Sequence, residues 1–106
     1  MSTFEDRTKA FETKYKLDEE KRFALNARAV RLFGVWAAGQ LALSGDLAEA
    51  YVQDVIDADF AEPGTKDFIQ KVQNDLASKG LELSEHYLEN QFVSCCEEAA
   101  RQLFPA

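Results

Sequence analysis

Apolar residues recur along this chain at steps of three and four. No window alternates apolar and polar for long enough to make a strand, so the chain reads as all-α. Three breaks divide the pattern. "SGD" at 44–46 sets Gly45 as a left-handed helix terminator and Asp46 as the next N-cap, with Glu49 at capping-box distance. "EPGT" at 62–65 is the second break, with Thr65 as N-cap. In "KGLELS" at 79–84, Gly80 stops a helix, Ser84 caps the next, and Leu83 and Leu88 occupy the positions of a hydrophobic staple. The spacing predicts one helix ending near Leu43, then helices over about 46–60, 65–79 and 84–104.

The last three predicted helices are one-sided. Their apolar faces are Leu47, Tyr51, Val55 and Ala58 with Val52 and Ile56; Phe68, Ile69, Val72 and Leu76; and Leu88, Phe92, Cys95, Cys96, Ala99 and Leu103. From Leu25 to Leu43 the first helix is apolar almost all round, as a central helix should be, with Trp36 expected deep inside. Short loops make successive helices antiparallel neighbours, which gives a small four-helix bundle.

Length then sets a problem for the N-terminus. Helices of 15 to 21 residues measure about 22–32 Å, whereas a helix from 3 to 43 would reach about 60 Å. About 20 residues must therefore project beyond the bundle or be disordered. The expected division is an N-terminal arm over 1–20 and a bundle over 21–106. The arm has helical credentials: a capping-box pattern at Ser2 and Glu5, and i,i+4 pairs Glu5–Lys9, Glu12–Lys16 and Asp18–Arg22. Isolated helices are marginal in water, so it should fray. Yet it carries an aromatic stripe, Phe4, Phe11 and Tyr15, each ring worth about 1.5–3 kcal/mol if buried. A projecting helix with an apolar stripe is suited to a groove on another protein.

Charge sharpens this division. The 106 residues carry a net charge of −7. Residues 1–22 hold six of the twelve Lys/Arg and six of the nineteen Asp/Glu, so that stretch is neutral and residues 23–106 carry the whole −7. That balance disfavours nucleic acid and anionic membrane surfaces. The longest apolar run, residues 32–43, is too short to span a bilayer, and the N-terminus lacks a secretory h-region. Two adjacent cysteines, Cys95 and Cys96, make no disulfide framework and read as core filler in a reducing cytoplasm.

Candidate chemistry is sparse. His86 is the single histidine and reads as a solvated side chain, and no nucleophile–base–acid triad assembles around it. Asp54, Asp57, Asp59 and Glu62 resemble a cation loop only loosely and read as a solvated acidic face. Lys66 in "PGTK" sits near a helix N-terminus, a place for an anion, but no Walker pattern supports a nucleotide. The sequence therefore implies no enzyme, no cofactor and no metal.

The N-terminal pattern resembles a known family. The spacing F-x-x-R-x-x-A-F-E-x-K-Y-x-x-D-E-E-x-x-F is met by Phe4, Arg7, Ala10, Phe11, Glu12, Lys14, Tyr15, Asp18, Glu19, Glu20 and Phe23. It continues as Ala27, Arg28, Arg31, Leu32, Gly34, Trp36, Ala37 and Ala38. This is similar to the zeta subunit family of alphaproteobacterial F-type ATP synthases, over essentially the whole chain. Ala29 and Val30 depart from the more polar residues expected between Arg28 and Arg31.

The resemblance implies a regulatory subunit that inhibits ATP hydrolysis by the catalytic sector. Its N-terminal helix would insert into an alpha/beta catalytic interface, reach toward the gamma shaft and block rotation, while the bundle stays outside. The partners implied are the alpha, beta and gamma subunits, and the location is cytoplasmic, peripheral on the inner membrane through the synthase. The partner-binding residues implied are Phe4, Arg7, Lys9, Ala10, Phe11, Glu12, Lys14, Tyr15, Lys16 and Asp18. The rings would bury, while the charges pair with the polar rim. The alternative is a stand-alone helical adaptor whose arm docks another cytoplasmic complex.

Overall fold

A computed structural model describes residues 4–61 and 66–105. The described residues are all-α and form five helices: α1 (Phe4–Tyr15), α2 (Glu19–Gln40), α3 (Gly45–Ala61), α4 (Lys66–Ser78) and α5 (Glu85–Leu103). The caps proposed at Ser2/Glu5 and Thr65, the break at 62–65 and the side chain of Lys66 lie outside the described residues.

The long first helix is instead two helices. α1 ends in a turn in which the Leu17 N–H donates to the Glu12 carbonyl at 3.0 Å and the Lys16 N–H to the Thr13 carbonyl at 3.3 Å. That pattern needs a left-handed residue at its centre, and Lys16 supplies it at φ 52°. Asp18 then caps α2, its carboxylate accepting from the Lys21 N–H at 2.8 Å. Asp18 is thus committed to the helix start rather than to a pair with Arg22, and Glu12 meets Arg22 across the bend at 3.6 Å.

The bend overturns the protruding arm. A continuous helix over 4–40 would be about 55 Å long, and the longest extent of the molecule is 39 Å. Phe4 meets Phe92, and Tyr15 meets Phe104. α1 therefore folds back and runs beside α5.

α2 is the central element, packed chiefly on α3 and α5, with α4 closing the far side against α3 and α5. Gly34 permits the closest approach: a Cβ there would meet the Val52 Cα at 3.3 Å. Three polar ties fasten the rim of α2. Asn26 donates to Asp59 at 3.1 Å, Arg28 donates to Gln102 at 2.9 Å, and Arg31 lies 3.7 Å from Glu49. Between α3 and α4, Tyr51 and Lys71 both donate to Asp75, at 2.9 and 3.0 Å. Burial, then the Asp75 bond, raise the Tyr51 phenol pKa.

The core is aromatic at its centre. Phe33, Phe68 and Phe92 are fully enclosed, with ring centroids 4.9–5.8 Å apart. Trp36 is not the deep residue expected. It is half-buried, stacked on Phe33 at 5.7 Å with Tyr87 6.5 Å away. Phe33 takes the interior position because it lies on the side of α2 that faces α4 and α5. Leu47 is likewise exposed (69%), since it falls in the first turn of α3 ahead of the packed stretch from Tyr51. Ala29 and Val30 are buried against the core, which accounts for their apolar character.

The remaining boundaries follow local chemistry. Ser84 caps α5 by accepting from the Tyr87 N–H at 3.0 Å, and Gly80 (φ 84°) ends α4. The end of α2 is shifted from the position read in the sequence. Ala42, at φ 59°, is its left-handed terminator, and Gly45, also left-handed, opens α3. Asp46 therefore lies inside the first turn of α3.

Candidate functional site: the docked N-terminal helix

The half-buried positions of α1 are Phe4, Arg7, Thr8, Phe11, Glu12 and Tyr15, one helical face. That face lies on α5. The Phe4 ring meets Phe92 edge-on, with centroids 5.9 Å apart at 63°, and the Tyr15 ring meets Phe104 at 5.9 Å. Phe11 packs against the same core between them. Lys9, Ala10 and Lys14 face solvent, with the Lys14 ammonium 5.5 Å from the centre of the Tyr15 ring. Of the ten residues singled out in the sequence, eight therefore lie on α1, and Lys16 and Asp18 build its hinge.

The docking is loose. None of the described α1 side chains is buried. A cleft of about 490 Å³ separates α1 from α2, lined by Lys9, Glu12, Arg22, Leu25, Phe92 and Cys96. A second, of about 210 Å³, runs along the other flank between Phe11, Tyr15, Glu97 and Arg101. Three incompletely covered rings contribute most, but not all, of the roughly 1.5–3 kcal/mol each would give when fully buried. Against that stands about 1–2 kcal/mol for holding Lys16 in the left-handed region. An element none of whose described side chains is fully buried belongs to the low-stability end of a fold.

The seat itself was not foreseen. It consists of Phe92, Cys96 and the Glu97–Arg101 rim on α5, Phe104 at the C-cap of that helix, and Arg22 on α2. A signal was present: the apolar residues of α5 and its C-cap come in adjacent couples, Cys95–Cys96, Ala99–Ala100 and Leu103–Phe104. Such couples make a band wider than one partner needs. Arg101 donates to Glu98 at 2.9 Å; that bond holds the Glu98 carboxyl below its ordinary pKa, and Gln102 adds to it.

The thiols beneath this seat are chemically quiet. Cys95 and Cys96 are free and buried, and burial raises their pKa values to about 11 and about 12. The acidic stretch of α3 is similarly occupied. Asp57 accepts from Gln53 at 2.9 Å and Asp59 from Asn26, while burial raises the Asp59 pKa. His86 is exposed. No cluster of metal-binding side chains occurs among the described residues, and no described helix is long and apolar enough to cross a membrane.

Fold and site together define a small all-helical protein whose distinguishing element is an amphipathic N-terminal helix, hinged and lightly held on its own body. The sequence model of the ATPase inhibitor subunit zeta family matches residues 1–102, and the chain belongs to that family. No curated protein matches the chain.

Proposed function

We propose that this chain is a regulatory subunit that inhibits ATP hydrolysis by an F-type ATP synthase, with α1 as its inhibitory element. In this reading α1 leaves α5 and enters an alpha/beta catalytic interface, where its rings bury and its end approaches gamma. There it blocks rotation by occupying space. Residues 21–106, as a four-helix bundle, stay outside as the body. The protein is then cytoplasmic and held at the inner membrane only through the synthase. Family membership supports the inhibitory role; the arm mechanism is our extension of it.

The observation that carries the mechanism is the state of α1. It is an apolar-striped helix with no fully buried side chain among those described, flanked by clefts and joined to the body through a left-handed lysine. A foreign groove that covered the three rings completely would bury the remainder, at most about a third of each, gaining up to roughly 1.5–3 kcal/mol over self-docking. The balance of three Lys/Arg and three Asp/Glu in residues 1–15 suits insertion, because a buried charge without a counter-charge costs several kcal/mol.

The test is ATPase activity of the isolated catalytic sector titrated with this protein and with a variant lacking residues 2–17. The full chain should suppress turnover at stoichiometric ratio. The truncated chain, if its circular dichroism shows the body folded, should not. Undiminished inhibition by the folded truncation would eliminate α1 as the inhibitory element.

A further inference from the structure

We propose that the α5 seat also accepts α1 from a second copy of this chain, so that two copies pair by reciprocal exchange of their N-terminal helices. The inference does not depend on the synthase and involves no component beyond this chain. It rests on the juxtaposition of a hinge held by Lys16 and Asp18 with a seat whose fit to α1 is visible in the closed molecule.

The hinge is the first observation. Closed docking holds Lys16 at φ 52°, a region that L side chains enter only at a cost. If residues 16–18 become helical, α1 continues α2 as one rod and that cost disappears. The rod is incompatible with self-docking. Phe4 lies on Phe92 and Tyr15 on Phe104, so α1 reaches its own seat only by reversing direction at Lys16. A short hinge under strain is the usual origin of exchanged dimers.

The seat is the second observation. Straightening leaves Phe92, Cys96 and Phe104 uncovered beside the projecting rings of the same molecule. The complement for each is identical in the other copy. Two such molecules satisfy one another by a two-fold arrangement that closes without leaving an open end. The bodies are acidic, but residues 1–15 hold three Lys/Arg and three Asp/Glu, so the exchanged segment brings no net charge to the other body. Effective concentration ordinarily favours self-docking across so short a hinge. Biasing the hinge toward helix removes that advantage.

The test uses full-length variants. Lys16→Val disfavours the left-handed turn through its β-branch, and Asp18→Ala removes the α2 cap; Lys16→Gly does the opposite by easing the turn. The doubly substituted chain should run at twice the 11.9 kDa monomer mass by light scattering. Its dimer dissociation constant should be at least about tenfold below that of the parent. Lys16→Gly should remain monomeric at the same concentrations. A mixture of isotope-labelled and unlabelled double variant should show a nuclear Overhauser effect between Phe4 of one copy and Phe92 of the other. A folded double variant that stays monomeric at about 1 mM, or a dimer without the inter-copy Phe4–Phe92 signal, overturns the proposal. If the double variant loses helicity, the same mixed-label experiment is run on the parent chain at high concentration, and absence of the signal there overturns it.

Discussion

Asp18→Ala isolates the energetics of the hinge. In the closed molecule the Asp18 carboxylate accepts the Lys21 N–H at 2.8 Å, with the backbone of Asp18 extended (φ −80°, ψ 179°). Losing such a cap costs about 1 kcal/mol. In the straightened molecule residue 18 is a helix-interior position, where aspartate is about 0.7 kcal/mol worse than alanine. The substitution therefore penalises the closed form and favours the open one, by a total of about 1.5–2 kcal/mol, or roughly ten- to thirty-fold in the open population. Amide exchange over residues 8–15 reads that population, because a projecting helix frays and a docked one does not. Exchange there should accelerate by the same factor, while the amides of Phe68–Leu76 in α4 keep their protection. If α1 is the inhibitory element, half-maximal inhibition should move to lower protein concentration, since the apparent affinity scales with the competent fraction. Exchange over 8–15 within twofold of the parent would show that the cap does not hold the bend, and the hinge argument would fail.

Other outcomes follow from the same geometry. Ala42→Gly should stabilise the chain by about 0.5–1 kcal/mol, because alanine holds a left-handed terminator there at φ 59°; a rise in urea midpoint at unchanged slope is the readout. Phe33→Ala should cost about 3–5 kcal/mol from the centre of the core, and Trp36→Ala markedly less, as compared by thermal melts. Cys95 and Cys96 have folded-state pKa values of about 11 and about 12, above the ordinary 9.0. Their stabilising contribution is whole below pH 9 and falls as pH climbs from 9 toward 12. Urea midpoints should therefore drop over that range, and Cys95→Ala with Cys96→Ala should flatten the drop. Asp59 has a raised pKa, so its contribution is complete below 3.8 and declines as pH rises through its higher folded value. Asp59→Asn should reduce that decline in acid titrations.

The body was legible because its signals are local. Ser84 and Gly80 each act within one turn, and the stripe Phe68, Ile69, Val72 and Leu76 is wholly buried as its spacing implies. The hinge was harder to see, since the chain bends without glycine or proline. A lysine in the left-handed region leaves no compositional trace, and Asp18–Arg22 fits a helical pair as well as Asp18 fits a cap. The better clue was Asp18 followed by two glutamates just ahead of an apolar run, an N-terminal signature. The seat was obscured for another reason. Periodicity shows that α5 is apolar over a wide arc, but which helix covers which part is a long-range matter. Trp36 and Phe33 show the same limit: both fit the interior by type, and only packing decides between them.

Phe92 belongs to two assemblies at once. Its ring meets Phe4 on one side and Phe33 and Phe68 on the other. Interior order and arm retention are consequently reciprocal, and each lends firmness to the other. Suppressors of a weakened arm should then arise on α4 around Phe68, at sites that touch neither the hinge nor any client surface, and the melting curve of the body becomes a gauge of how often the arm is away.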